Sequence, residues 1–489
     1  MYLDLKTDKR FKMITIQNLT FGGTFSYETP EGPPTYSVTP ATNSVNEGSA
    51  LTFNVSGSNI TDGTYYYTVN TNAGDFATSS GSFTITSNIG SFSVTPSNDA
   101  TTEGAETFTA SVRTGSTSGT VVATSSSVTI NDTSTTPVPY LWSWGGNGVG
   151  QLGQGDTADR NSPVQVGTLT TWSTIAAGGG DNSLAIKTDG TLWTWGKNAY
   201  GVLGLGDTTN RSSPVQIGAL TNWSKIAAGR LHTIAIKTDG TLWSWGTNGS
   251  GALGFGNATN YSSPKQVGAD TNWSNIDANE SYNLAVKTTG TMWAWGVNGS
   301  GQLGLGDTTN RSSLVQIGSG SSWAKVAAGE NHSGAVGTDG TMWSWGNNQY
   351  GQLGLGDTTN RSNPVQIGSL TTWSNISAGT YHKIAVKTDG TMWTWGFNSF
   401  SNLGLGNTTA YSSPKQVGAL TTWSTILGSQ WYNLAIKTDG TLWTWGLNQQ
   451  GKLGLSNSTS YNSPVQIGAL TNWSKVAAGA SHSMAIGAV

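Results

Sequence analysis

The chain has 489 residues, a net charge of −3 and only 10% charged residues. Its length and apolar content suffice for two to four domains with sizeable cores, and the weak, dispersed charge argues against nucleic acid or a membrane surface as a partner. The absence of cysteine excludes disulfides, thiol nucleophiles and thiolate metal sites. Abundant glycine, with short aliphatic runs bounded by turn residues, predicts an all-β fold.

Residues 1–35 are expected to form an N-terminal arm. Its opening, "MYLDLKTDKRFKMITIQNL", scatters charges and lacks the apolar segment of an export signal, and no stretch of the chain approaches the length of a membrane span. Neither Sec export nor a membrane span is therefore expected. A homo-oligomer assembled through this N-terminal region is a further expectation.

Residues 36–133 carry alternating segments such as "GSFTITSNIGSFSVTP" and "ETFTASVRTG", which predict a β-sandwich of the immunoglobulin-like or Calx-beta-like kind. The region resembles a Calx-beta domain in its acidic residues, which are Glu47, Asp99, Glu103, Glu106 and Asp132. The resemblance implies calcium, because hard cations bind clustered carboxylates. One terminal Asp stands where calcium-binding members have two or three, so a sandwich with solvated acidic loops and no metal stays open. Residues 134–139 are predicted to be a linker.

The strongest signal is an internal repeat over residues 140–489. The string W-x-W-G recurs at a period of 50 or 51 residues, beginning at Trp142, Trp193, Trp243, Trp293, Trp343, Trp393 and Trp443. Each copy contains four short strand patterns, typified by "WSKIAA", "HTIAIK", "TLWSWG" and "SPVQIG". Seven copies of such a unit predict a seven-bladed β-propeller.

The ends of the repeat region predict how the ring closes. The first copy opens at "YLWSWG" without the strand pair that precedes it elsewhere, and the last stops at "HSMAIGAV" without the strands that follow elsewhere. Together the two fragments make one blade, so the N- and C-terminal propeller strands are predicted to pair. Closure of this kind removes exposed sheet edges.

Segments such as "AAGRLHTIAIKTDGTLWSWGTNGSGALG" resemble repeats of the regulator of chromosome condensation family. The resemblance recurs in every copy and implies a seven-bladed propeller. Guanine-nucleotide exchange, the activity of the founding member, is only a remote alternative. The constant blade length leaves no loop insertion to act as a wedge, and the basic tail of that member is missing.

Comparison of the copies separates scaffold from variable positions. The Trp residues of the grid are predicted to be core, and "TDG" is predicted to be a hairpin turn. Asp followed four residues later by Arg, as in Asp207 and Arg211, predicts a pair within one loop, and Asn with Tyr replaces it in three copies. The four histidines occupy one repeat position, which predicts a structural hydrogen-bonding role.

Two connections vary between copies: the pair of residues before the His position and the residues around the Asn after W-x-W-G. In a four-stranded antiparallel blade both emerge at the same end, so they are predicted to share one face of the propeller, where binding residues collect. Of the 22 tryptophans, Trp431 alone lies off the regular grid formed by the other 21. The predicted ligand-binding face comprises Arg230, Glu280, Glu330, Tyr350, Tyr381, Phe397, Phe400, Trp431 and Tyr432.

These features favour a non-enzymatic binding or adhesion module over an enzyme, because no carboxylate pair or metal cluster stands out. The expected partner is a protein or a glycan on a cell surface or virion. Near-identical repeats joined to a sandwich resemble bacteriophage virion appendages, and a bacterial surface or secreted adhesin is the alternative setting. No cofactor is expected beyond calcium in the sandwich.

Overall fold

A computed structural model describes residues 31–70, 76–97, 105–133, 139–320 and 322–488. Most of the predicted arm and linker, and the candidate calcium ligands Asp99 and Glu103, lie outside these ranges. The chain divides into two compact units, Met1–Thr136 and Pro137–Val489. Within the described ranges, no helix is long and apolar enough to span a membrane.

The N-terminal unit is a sandwich-like, antiparallel β structure, as its alternating sequence predicts. Its core includes Phe53, whose ring centroid lies 5.3 Å from that of Phe92 and 6.1 Å from that of Phe108. Its strands run along the sheet in the order β1, β3, β6, β5, β4, β7, β9, β2, with β8 also paired to β7 and β2 parallel to β9. The strands are β1 (Thr35–Pro40), β2 (Ser44–Asn46), β3 (Leu51–Ser58), β4 (Gly63–Asn70), β5 (Ser80–Thr86), β6 (Ile89–Val94), β7 (Glu106–Arg113), β8 (Val121–Thr124) and β9 (Val128–Asn131).

The second unit is a propeller of seven four-stranded sheets, which confirms the predicted fold. The first two strands are β10 (Pro139–Gly145) and β11 (Arg160–Thr170). Blade 1 is β12 (Trp172–Ala177), β13 (Asn182–Lys187), β14 (Leu192–Gly196), β15 (Arg211–Gln216); blade 2 is β16 (Trp223–Ala228), β17 (His232–Lys237), β18 (Leu242–Gly246), β19 (Tyr261–Gln266); blade 3 is β20 (Trp273–Asn279), β21 (Tyr282–Lys287), β22 (Met292–Gly296), β23 (Arg311–Gln316).

Blades 4 to 6 repeat this plan, and blade 7 joins the two ends of the unit. Blade 4 is β24 (Trp323–Ala328), β25 (His332–Gly337), β26 (Met342–Gly346), β27 (Arg361–Gln366); blade 5 is β28 (Trp373–Ala378), β29 (His382–Lys387), β30 (Met392–Gly396), β31 (Tyr411–Gln416); blade 6 is β32 (Trp423–Gly428), β33 (Tyr432–Lys437), β34 (Leu442–Gly446), β35 (Tyr461–Gln466); blade 7 adds β36 (Trp473–Ala478) and β37 (His482–Ala488). Short 3-10 turns occur at Ala199–Gly201 and Gln449–Gly451.

Closure of the ring takes the form that the terminal fragments predict. β10 pairs antiparallel with β37, from Pro139 opposite Ala488 to Gly145 opposite His482, and the blade order is β11, β10, β37, β36. The fourth strands begin earlier than the predicted "SPVQIG": β15, for example, begins at Arg211. The bulge that precedes Gly196 brings Arg211 into register opposite it.

The second Trp of each W-x-W-G motif joins neighbouring blades. Trp245 is fully buried, and its indole Nε1 donates to the carbonyl of Val202 in the preceding blade at 2.9 Å. Gly204 approaches the same ring with φ +75°, and a Cβ there would lie 2.8 Å from Nε1. The equivalent indole makes the same bond in each of the other six blades. The prediction that these tryptophans pack between blades is confirmed.

The loop pairs are also confirmed. Arg211 donates to the Asp207 carboxylate at 2.6 Å, and the other three Asp–Arg loops are alike. A backbone N–H donor and then the arginine hold the pKa of Asp207 below its ordinary value. In the loop of Asn407, its amide donates to the Tyr411 hydroxyl at 3.3 Å. The Asp and Asn side chains both also cap the loop backbone, so the two versions build the same turn.

An aromatic cluster on the loop face

Each blade presents two connections at one end of its sheet: the hairpin between its first and second strands, and the longer loop between its third and fourth. We call the side of the propeller that carries them the loop face. Residues from both kinds of connection contact one another there, since Tyr381 from a hairpin lies 5.2 Å from Tyr350 of a longer loop, measured between ring centroids. The predicted sharing of one face holds in this sector.

Five aromatic residues from blades 4 to 6 form one continuous group, which we call the aromatic cluster. Its members are Tyr350, Tyr381, Phe397, Phe400 and Trp431. Ring centroids of contacting members lie 5.0 to 6.3 Å apart, all in tilted or edge-on pairs. Those geometries are the favourable ones for aromatic pairs, so the cluster is ordered by its own contacts.

The cluster is partly exposed to solvent. Tyr350 and Phe400 are 37% and 39% exposed, while Tyr381, Phe397 and Trp431 are half-buried. Tyr200 occupies the same repeat position as Phe400 in blade 1, yet it is 54% exposed and belongs to none of these ring contacts. Blades 4 to 6 therefore carry a contiguous aromatic surface, whereas Tyr200 in blade 1 is a single exposed ring.

The prediction that Tyr432 belongs to this surface is wrong. Tyr432 begins β33 and is fully buried, and its hydroxyl donates to the His482 carbonyl at 2.6 Å while Ser483 Oγ donates to it at 2.9 Å. Trp431 precedes the strand and stays in the hairpin. A shift of one residue at the strand boundary thus separates a surface ring from a buried one.

Tyr432 is part of a ring of buried residues between blades, which we call the interblade layer. In blade 2, His232 Nε2 bonds Asn283 Oδ1 of the next blade at 2.7 Å. Burial lowers the pKa of His232 to about 4, so the imidazole is neutral near pH 7. The structural role predicted for the histidines is confirmed in this contact. The layer consists of the first residue of each second strand, namely Asn182, His232, Tyr282, His332, His382, Tyr432 and His482.

One signal in the sequence does identify Tyr432 as a member of this layer. Where the position is His, a Gly lies three residues earlier, and a Cβ on Gly229 would lie 2.2 Å from the His232 ring. Where it is Tyr, the Gly is replaced, by Asn279 in blade 3 and by Ser429 in blade 6. The paired change marks the tyrosine as a substitute for the histidine.

A charged strip adjoins the aromatic cluster. Arg230 donates to the Glu280 carboxylate at 3.2 Å, and the Arg230 backbone N–H donates to the Glu280 carbonyl at 3.3 Å. The Tyr381 hydroxyl lies near the carboxylate of Glu330, which is half-buried. Burial, and then the negative charge of Glu280, raise the pKa of Glu330. The predicted charged residues therefore reach the aromatic cluster through Glu330, which lies beside Tyr381.

The seven first strands line a central channel of about 260 Å³ whose wall is mostly alanine and isoleucine. Asp277 projects from β20, where backbone N–H groups of Ala278 and Ala328 donate to it at 2.9 and 2.8 Å. Burial raises its pKa to about 6. The carboxylate therefore links the first strand of blade 3 to that of blade 4. Ser377 makes the equivalent link in blade 5, where its Oγ accepts from the Gly428 N–H. Glu280 also lines the channel, on the side of the loop face.

The acidic residues of the sandwich are only partly described. Glu47 lies beside Asn131, whose carbonyl accepts from the Glu47 N–H at 3.4 Å, and Glu106 stands opposite Ile130 on β9. Asp132 directly follows that strand. Within the described ranges, no three carboxylate or imidazole groups are placed to hold one metal ion. Calcium in the sandwich stays a prediction.

The repeat region matches the family description "Regulator of chromosome condensation (RCC1) repeat" in seven segments, at residues 140–186, 189–236, 239–286, 289–336, 339–386, 389–436 and 439–486. Among curated proteins, the ultraviolet-B receptor UVR8 of Arabidopsis thaliana is 38% identical over 93 residues, which are 18% of this chain and 21% of the receptor. An RCC2 homologue of Danio rerio is 44% identical over 71 residues, 14% of each chain. This chain thus matches about a fifth or less of the length of these relatives.

Solved structures share the fold. Human WBSCR16 superposes with a TM-score of 0.65 at 20% identity, covering 72% of this chain and 99% of that one. Prp20p of Saccharomyces cerevisiae, described with its binding properties to Gsp1p and histones, gives a TM-score of 0.65 at 21% identity, covering 72% and 92%. At these identities the likeness shows the propeller architecture alone.

Proposed function

The chain belongs to the regulator of chromosome condensation repeat family, and on that premise we propose that it is a non-enzymatic module that binds a protein through the aromatic cluster of its propeller. The observation that supports this proposal is the contiguity of the five rings. Aromatic side chains dominate the binding energy of protein interfaces, and contiguous exposed apolar surface is costly unless it is covered.

The contrast between sectors of the loop face also supports the proposal. A ring needed only for packing would recur at its repeat position in most blades, as the grid tryptophans do. The positions of Trp431 and Phe400 instead carry Leu231 and Ser250 in blade 2. The protein binding described for Prp20p is a property of that relative, and it is compatible with a protein ligand here.

The setting that we infer is extracellular or on a virion, as an appendage protein of a bacteriophage, with a bacterial surface adhesin as the alternative. Near-identical repeats joined to a β-sandwich support it. Proteomic analysis of purified virions would test it: detection of the chain supports the appendage, and its presence only on bacterial cell surfaces would support the adhesin.

The binding proposal is tested by peptide selection on the full chain, followed by affinity measurements on variants. We expect selected peptides to bind Phe400→Ala at least about 30-fold more weakly than wild type, a loss of about 2 kcal/mol. Tyr200→Ala is the matched control, because Tyr200 occupies the same repeat position outside the cluster, and its affinity should equal that of wild type.

Equal affinity of the Phe400→Ala variant would contradict the proposal, provided that its thermal unfolding matches wild type. A glycan array run in parallel covers the alternative ligand. Binding of a glycan that is lost in Phe400→Ala, with no peptide selected, would replace the protein ligand by a carbohydrate.

A further inference from the structure

The aromatic cluster is not electrically neutral at its border with the charged strip. Glu280 and Glu330 carry two carboxylates, and within the described ranges Arg230 is the one cation in ion-pair contact with either. Arg230 pairs with Glu280, and its side chain is 59% exposed in that pair. The half-buried Glu330 lies near the Tyr381 hydroxyl and forms no ion pair with any of the described residues.

Tyr381 couples this carboxylate to the rings. Its hydroxyl lies near the Glu330 carboxylate, and its ring contacts Tyr350, Phe397 and Trp431 with centroids 5.2 to 6.3 Å apart. The faces of aromatic rings are electron-rich and attract cations, and partial desolvation strengthens that attraction. A carboxylate beside such faces therefore forms a place where a cation gains both an ion pair and ring contacts.

From this arrangement we propose that the partner presents a lysine or arginine side chain, which lies against the Tyr381 ring and forms an ion pair with Glu330. This inference rests on the proposed function and specifies the chemistry of its ligand. The apolar remainder of the partner segment covers Phe400 and Trp431. An acidic segment is disfavoured, because it would meet the two glutamates.

Because the charged strip has two carboxylates and one guanidinium, removal of a negative charge and removal of the positive charge should change peptide affinity in opposite directions. Glu330→Gln removes the charge but keeps the size of the side chain and an acceptor oxygen, so selected peptides should bind at least about tenfold more weakly. Arg230→Gln leaves Glu280 without its cation and makes the strip more negative, so the same peptides should bind a few-fold more tightly. A merely structural role for these residues would weaken binding in both variants.

The experiment uses the full chain, with peptides selected from a random library and synthetic versions in which each basic residue is replaced by glutamine. We expect the selected peptides to contain a basic residue whose replacement abolishes the difference between wild type and Glu330→Gln. Unfolding midpoints of both variants serve as the folding control.

The inference is overturned if Glu330→Gln and Arg230→Gln each change affinity less than about twofold while Phe400→Ala still weakens it. In that case the ligand is uncharged at this point and the proposed function stands. Peptides that are acidic, and that bind Arg230→Gln more weakly, would likewise overturn it. Loss of all dependence on Phe400 would instead contradict the proposed function itself.

Discussion

Trp431 and Tyr432 are neighbours in the chain, yet they belong to two different regions of the propeller. The interblade layer that contains Tyr432 is buried, and five of its seven side chains form a hydrogen bond with the next blade. The aromatic cluster that contains Trp431 is partly exposed, and the structure describes it in one sector only. The difference teaches that in blade 6 two adjacent positions separate a buried residue that joins blades from a residue of the loop face. Substitutions on either side of that boundary should then have effects of different kinds.

The largest expected loss of stability comes from acid, which protonates the buried histidines of the interblade layer. Burial lowers the pKa of His232, His382 and His482 to about 4. The unfolded chain, with an ordinary histidine pKa near 6.5, binds more protons between these values, so stability is full above about pH 6.5 and is lost as pH falls toward 4. At about 1.36 kcal/mol per pKa unit, each of these histidines should account for a loss of up to about 3 kcal/mol in the free energy of unfolding at low pH.

Tryptophan fluorescence reports this acid transition, because all 22 tryptophans lie in the propeller region. His382→Asn places in blade 5 the residue that blade 1 has at the same position. It should lower stability at neutral pH and reduce the slope between about pH 4 and 6.5. A stability profile with the same slope as wild type would contradict neutral burial of His382.

The next largest effect on stability is expected from replacing Tyr432, rather than its neighbour Trp431, by alanine. Tyr432→Ala removes a fully buried ring and its bonds to His482 and Ser483, so the free energy of unfolding should fall by about 3 to 5 kcal/mol. Trp431→Ala removes a half-buried surface ring and should cost much less, about 1 kcal/mol. Chemical denaturation of both variants measures the difference. Equal losses would show that the boundary between the two regions is not where the structure places it.

Lys383 breaks the pattern of the interblade layer. It stands where Asn283 and Asn433 accept from histidines, and it is fully buried with its Nζ donating to the Ser333 carbonyl at 2.6 Å. Burial holds its pKa well below the ordinary value. Among the described residues, neither ring nitrogen of the adjacent layer residue, His332, has a hydrogen-bond partner.

Replacing Lys383 by Asn should therefore stabilise the propeller by about 1 to 3 kcal/mol, since it removes a buried amine and restores a partner for His332. The reverse change, Asn433→Lys, is the matched control and should destabilise. Thermal unfolding measures both. A lower melting temperature for Lys383→Asn would indicate that the lysine makes a contact that offsets its burial.

Much of the fold could be predicted from the sequence because the seven repeats can be compared with one another. Seven copies fix the strand pattern, and the truncated copies at the two ends fix the closure between β10 and β37. Strand boundaries are less determined: the bulge before Gly196 moves the start of β15 to Arg211 without changing the residue pattern.

The candidate site was predictable in part. The positions that vary between copies gave the loop face and five aromatic residues that do contact one another. Adjacency in sequence could not assign Tyr432, because alternate residues of a strand point to opposite sides and the strand begins at that residue. Tyr381 and Glu330 come from two blades, and their proximity depends on side-chain conformations that no sequence pattern specifies.

The most direct test is the affinity of the full chain for a selected peptide, measured for Trp431→Ala against Leu231→Ala. Leu231 occupies the same repeat position in blade 2. If the aromatic cluster binds the ligand, Trp431→Ala should weaken binding at least about 30-fold, while Leu231→Ala leaves it within about twofold of wild type. Equal affinities for the two variants, with both folded, would contradict the assignment of the binding site to this cluster.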